Sequence, residues 1–348
     1  MNSPSFTGVV LVSLLIWSAS VGLISCSNNV TDKETVAQEV MIPKDIEGIT
    51  DLIKQDRTNA ALFHERALLH LKSGKFDEAS NDIKITVKLD AKQPLYHFTF
   101  GEILFAQGDI ARSAEELKTC ISLDSKNIEA LLKLAEVQMY MQKYKNSIST
   151  LKQVIELDKH NENAFYIQGL IFKQLGDSVK AINSFEKAVE FNGDFFDAYF
   201  QLGIIHYELN RPIAEHYFTT AFALDPDNTE LLYALGMCYQ QFGFLDKAID
   251  IYYTLLEKNI KHVEAHYNLG YIHLGSKEEY PTAHKHFTNA INCDSAYANA
   301  FYMRGLCEEK MGNLIKARTD YKTCLELETN HDLAILGMNR LDEEFKRN

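Results

Sequence analysis

A 34-residue period runs through most of this chain. From Ala60 onward a Gly, or a substitute, precedes one helix-like stretch, as in Gly74-Lys-Phe-Asp-Glu-Ala79, Gly176-Asp-Ser-Val-Lys-Ala181 and Gly312-Asn-Leu-Ile-Lys-Ala317. Leu-Asp marks the end of one, at Leu89-Asp90, Leu123-Asp124, Leu157-Asp158 and Leu224-Asp225. Eight units result: 60–93, 94–127, 128–161, 162–195, 196–228, 229–262, 263–297 and 298–331. The fifth is one residue short near Arg211-Pro212, and the seventh is one long near Glu279-Tyr280-Pro281. One such unit cannot bury its own apolar face. Stacked copies share a continuous core, and the two ends need covers. Length alone predicts two or three domains; a repeat predicts one body that grows by addition.

Three columns of the repeat are chemically uniform. Position 8 holds Ala67, Gly101, Ala135, Gly169, Gly203, Gly236, Gly270 and Gly305. Position 20 holds Ala79, Ser113, Ser147, Ala181, Ala214, Ala248, Ala283 and Ala317. Small side chains at both places let the two helices of a unit, A and B, approach closely. Position 24 is always large: Ile83, Leu117, Leu151, Phe185, Phe218, Tyr252, Phe287 and Tyr321. It is expected to fill the space between neighbouring units. With only 6 Pro and 17 Gly in 348 residues, helix breakers are scarce, which favours an all-α chain.

The two-helix unit of this length resembles the tetratricopeptide repeat (TPR). The resemblance implies an all-α, right-handed superhelical solenoid of about eight helix-turn-helix repeats with N- and C-terminal cap helices. An N-terminal cap is expected over 44–59, where Ile46, Ile49 and Ile53 form one stripe. The repeats occupy 60–331. A C-terminal cap is expected over 332–348, apolar at Leu333, Ile335, Leu336, Met338 and Leu341 before it turns charged. In TPR proteins positions 2, 5, 9 and 12 of helix A commonly face a ligand. Here they supply Phe98, Phe105, Tyr166, Phe200, Tyr207, Tyr233, Tyr267, Tyr271 and Tyr302 as a candidate groove for a protein or peptide, with Met139 and Met237 beside them. Packing between repeats is the competing use of the same column. Positions 5 and 9 hold no Lys or Arg, so a clamp for a C-terminal carboxylate is not expected.

The first 26 residues are a separate object. All 35 basic and 48 acidic side chains lie after Cys26. Val9 to Trp17 is apolar, and Leu23-Ile24-Ser25-Cys26 resembles the lipobox of bacterial lipoproteins. That resemblance implies loss of a leader, 1–25, and lipid attachment to Cys26, followed by a polar tether over 26–43. Several acyl chains on one Cys anchor stably. Met1 to Phe6 has no Lys or Arg, which departs from the pattern. An uncleaved membrane span and a chance cysteine behind an ordinary signal stay open. Ser27, not Asp, follows the anchor, which favours an outer membrane facing the periplasm.

No nucleotide loop, metalloprotease helix or nucleophile elbow occurs, so an enzyme is not expected. The net charge of −13 argues against nucleic acid. Cys120, Cys238, Cys293, Cys307 and Cys324 form no CxxC and read as small core residues; a disulfide among the last three is the sharper option. His262, His266, His273, His284 and His286 crowd the seventh unit, but no familiar metal pattern completes them, and neither metal nor cofactor is expected. The function predicted is a membrane-tethered scaffold in the bacterial cell envelope that binds a protein or peptide. The alternative is an envelope sensor for a cell-wall fragment or exported peptide.

Overall fold

A computed structural model describes residues 45–347, and among them every element is an α-helix. The leader, the tether and Cys26 lie outside the described residues. Helix α1 (Ile46–Gln55) comes first. Eight A/B pairs follow: α2 (Ala60–Lys72) with α3 (Phe76–Leu89), α4 (Pro94–Ala106) with α5 (Ile110–Leu123), α6 (Ile128–Tyr140) with α7 (Tyr144–Leu157), and α8 (Glu162–Gln174) with α9 (Ser178–Phe191). Then come α10 (Phe196–Glu208) with α11 (Ala214–Leu224), α12 (Thr229–Gln241) with α13 (Leu245–Lys258), α14 (Val263–Gly275) with α15 (Tyr280–Cys293), and α16 (Ala298–Lys310) with α17 (Leu314–Leu327). Helix α18 (Asp332–Arg347) ends the array. Each helix packs on the next in chain order, and successive A helices also touch along most of the row.

The sequence punctuation has a backbone cause. Position 15, between A and B, is left-handed in every unit: Gly74, Gly108, Gly176, Gly243 and Gly312 have φ of 69–81°, and Gln142, Asn210 and Glu278 take the same role at 52–57°. This conformation ends helix A and starts the turn to B. The Asp or Asn of the Leu-Asp signature makes the return turn. Asp90, Asp124, Asp158, Asn192, Asp225, Asn259 and Asp294 each accept from the backbone N–H two residues on. Position 34 then caps the next A helix. Asn127, Asn161 and Asn228 do so with a side-chain oxygen, and His262 and His331 with Nδ1.

Helices A and B meet at the three uniform columns. The position-24 side chain rests on position 8 of its own unit and, as expected, also packs toward the next: Ile83 shares a core cluster with Phe100 and Ile103, and Leu117 with Leu134 and Val137. A Cβ built on Gly169 would lie 2.6 Å from the Phe185 ring. The same collision arises for Gly203 with Phe218, Gly236 with Tyr252, Gly270 with Phe287 and Gly305 with Tyr321. These five large side chains are at most 1% exposed. Where position 8 is Ala, at Ala67 and Ala135, the knob is Ile83 or Leu151, so volume lost on one side is added on the other. Serines at position 20 tie the pair further: Ser113 Oγ donates to Gly101 O at 2.7 Å and Ser147 Oγ to Ala135 O at 2.6 Å. Tyr252 also accepts from Asn268 Nδ2 of the next A helix at 3.1 Å, and Gly337 of α18 closes on the other side of Tyr321.

The C-terminal cap uses less of its apolar surface than expected. Ala334 and Leu341 are buried beside Gly337 and Met338, a stripe at helical spacing. Leu333 and Leu336 fall off that stripe and are 51% and 56% exposed.

Gly169→Ala is expected to lower stability by about 1–3 kcal/mol, the usual cost of overpacking a full core. Adding Phe185→Leu recreates the Ala135–Leu151 pairing and is expected to recover most of it. Urea denaturation of the single and double variants checks both.

Candidate functional site

The A helices carry the nine groove candidates on one row, but they are not equally available. The position-5 ring stands on the position-24 knob and against the position-34 cap. Tyr166 lies 4.9 Å from Phe195 and 5.7 Å from Phe185, centroid to centroid. Tyr233 lies 5.1 Å from His262, and Tyr267 5.1 Å from Tyr297 and 5.6 Å from Phe287. Phe200 packs on Phe196 and Phe218, and Tyr302 on Tyr321 and His331; these two are only 7% and 8% exposed. Burial pushes the Tyr233 and Tyr267 hydroxyls up to about 12. The column thus packs and half-presents itself at once: Phe98, Tyr166, Tyr233 and Tyr267 remain partly accessible.

Positions 9 and 12 reach further out. Tyr271 is 39% exposed, while Phe105 and Tyr207 are half-buried. Tyr140, one position beyond, was missed by the sequence reading. It is 38% exposed and meets the Phe105 ring edge-on at 5.2 Å. Lys133 Nζ stands 4.2 Å from the centre of the Phe105 ring and pairs with Glu136 at 2.9 Å. Position 2 adds a column the sequence reading treated as solvated background: Glu129, Asp197, Glu230 and Glu264. Burial raises the Asp197 carboxyl above its usual range.

The five cysteines after Cys26 are all free thiols, and only Cys293 has any solvent access. Burial pushes Cys238 and Cys307 up to about 12 and Cys120 and Cys324 to about 11, so they behave as small core residues. The histidines of the seventh unit form a relay. His266 Nε2 faces Ile260 O at 3.0 Å, His266 Nδ1 faces His286 Nδ1 at 3.5 Å, and His286 Nε2 faces Tyr253 Oη at 3.1 Å. His273 stacks flat on His286 at 5.7 Å and holds Glu279 through Nδ1 at 2.8 Å. His284 turns away to Glu308 at 3.0 Å. Among the described residues no group of three or more His, Cys, Asp or Glu side chains has the geometry to hold a metal.

Sequence profiles described as tetratricopeptide repeat match residues 64–127, 129–159, 200–261 and 298–331, and one described as TPR repeat matches 169–210. Together they span more than half of the chain. The chain is a tetratricopeptide repeat protein. Its TPR array is similar to the C-terminal part of a TPR repeat-containing protein from Cytophaga hutchinsonii, at 17% identity over 69% of this chain and 99% of that one, with a TM-score of 0.60. Pseudomonas aeruginosa pilF is similar at 16% identity over 61% and 96%, with a TM-score of 0.52. YrrB, a TPR protein whose structure is titled for an unusual peptide-binding site, gives 20% identity over 65% and 99%, and a TM-score of 0.42. At these identities the likeness concerns the TPR fold alone. No curated protein matches the sequence.

The histidine relay sets a pH dependence. Burial first, then the neighbouring His266, His273 and Lys285, push His286 down to about 4; burial also lowers His266. Both are neutral when folded, whereas the unfolded chain binds these protons below about 6.5. Their contribution is therefore full above that pH and is lost as pH falls through it toward 4. His286→Gln is expected to flatten the fall in melting temperature between about pH 7 and pH 5, measured by circular dichroism.

Proposed function

We propose that the chain is a membrane-tethered binding scaffold of the bacterial cell envelope. The partner is a protein or peptide segment that lies along the A-helix row, and lipid on Cys26 holds the array to the membrane, with the outer membrane favoured. The observation that carries the binding half is the aromatic row itself. Phe98, Phe105, Tyr166, Tyr207, Tyr233 and Tyr267 are partly accessible yet fixed in place by the packing beneath them, and Tyr271 is exposed beside them. Large, rigid side chains of this kind supply contact area at little entropic cost on binding. The surface is pre-formed, so little rearrangement accompanies docking. The mechanism is binding and positioning, without bond chemistry. The tether half rests on the Leu23-Ile24-Ser25-Cys26 sequence.

Two measurements test the two halves separately. A photo-crosslinking residue placed at Tyr271 is expected to capture a partner in native cells, and one at Ile315, which is exposed on α17 of the B row, is not. Equal capture from both sites overturns the row as the binding face. Cys26→Ser is expected to move the chain to the soluble fraction and abolish palmitate labelling; unchanged membrane retention overturns the lipid anchor.

A further inference from the structure

Three consecutive A helices, α10, α12 and α14, contain no Lys or Arg. They carry Asp197, Glu208, Glu230 and Glu264, interleaved with Tyr207, Tyr233, Tyr267 and Tyr271. Carboxylate and ring are close enough to feel one another. Asp197 acts on the Tyr166 hydroxyl, and Glu264 on those of Tyr233 and Tyr297. The basic residues nearby are engaged on the opposite edge: Lys247 pairs with Glu215 at 2.9 Å, Lys277 with Asp246 at 2.6 Å, and Lys258 with Asp227.

The chain itself shows what this face holds. At the second and third units Lys133 sits between the Phe105 ring and Glu136. At the border of the stretch Lys173 reaches from α8 across α10, donates to Gln201 Oε1 at 2.7 Å, and lies in the field of Glu208 and Glu230. Lys133 is thus held against a ring and a carboxylate of the A helices, and Lys173 against an amide oxygen within the field of two carboxylates. Beyond Lys173 the same chemistry continues through α12 and α14, and there the chain places no cation of its own on those helices.

We infer that units five to seven bind an extended polypeptide segment whose Lys or Arg side chains enter the A-helix face between the carboxylate column and the tyrosines. An ammonium or guanidinium gains from a ring face and a carboxylate together. Neighbouring packed helices lie about 8–10 Å apart, and an extended chain advances about 3.3 Å per residue, so one basic residue in about every three matches the column. The acidic excess of the whole chain adds long-range attraction for such a segment. This inference rests on the A row being the binding face and specifies the partner's chemistry.

The test uses the full-length chain in detergent and three fluorescein-labelled twelve-residue peptides, built from four copies of Lys-Ser-Gly, Gln-Ser-Gly or Glu-Ser-Gly. Fluorescence anisotropy is expected to show binding of the Lys peptide alone, weakened by raising NaCl. Glu230→Gln with Glu264→Gln is expected to raise its Kd by about tenfold or more, while the control Glu257→Gln with Glu326→Gln on the B helices leaves it within about twofold. The Gln substitutions keep side-chain volume, and circular dichroism checks the fold. Equal binding of the Gln peptide, an unchanged Kd in the A-row variant, or an equal loss in the control overturns the inference. If no peptide binds while the Tyr271 crosslink still captures a partner, the charge inference fails and the binding face stands. If the crosslink fails too, the face itself is wrong.

Discussion

Every unit depends on the large position-24 side chain resting on the backbone of position 8. Phe185 on Gly169 and Tyr252 on Gly236 leave no room for even one methyl group. The contact fixes how near helix B comes to helix A and how the two are rotated. Once rotation is fixed, positions 2, 5, 9 and 12 of helix A have no choice of direction. The row proposed to face a partner is therefore a consequence of packing on the far side of the same helix. The tyrosines at position 5 make this coupling explicit, since one face of each ring lies on the knob that sets the geometry.

The end units solve a different problem. At positions 7 and 23 the first unit has Arg66 and Asp82, and the last has Arg304 and Asp320, each pair joined by two hydrogen bonds of 2.7–2.9 Å. Most interior units put Phe or Leu at position 7, as at Phe100, Leu134, Leu202, Leu235 and Leu269. An ion pair between two stacked units would meet a large desolvation cost. Further polar groups offset that cost here: Arg66 also donates to Thr50 of α1 at 3.0 Å, and Arg304 and Asp320 line a small cavity with His284, Glu308 and Lys316.

Much of this was legible in the sequence, because a repeat states each constraint eight times. Small position 8, small position 20, large position 24, the left-handed position 15 and the Asx turn after Leu are all single-residue requirements with a backbone or steric cause. What escaped is relational. A column of large residues does not say that each one closes on position 8 of its own unit while also meeting the next. Leu333 and Leu336 look like core in a short apolar stretch, and only the angle set by Tyr321 and Gly337 turns them outward. The position-5 aromatics satisfy packing and presentation together, so pattern alone cannot divide them. The acidic column at position 2 was visible as letters, but carboxylates are common on solvated faces. Its meaning came from finding Lys133 and Lys173 on the same row.

The irregular units show how the row is protected from changes in length. The fifth unit is one residue short, and the deficit falls at the start of α11, which runs for 11 residues after Pro212 where its counterparts run for 14. The seventh is one residue long, and the extra residue sits in the α14–α15 turn, where Glu278 takes the left-handed position. Both changes lie outside the A helices. Helices α10, α12 and α14 each keep 13 residues, so Asp197, Glu230 and Glu264 occupy the same place in their helices. A change inside an A helix would rotate the rest of that helix by about 100° per residue and break the column. Variation is confined to segments where it rotates no A-helix side chain, and the acidic and aromatic columns stay in step through the only units whose lengths differ.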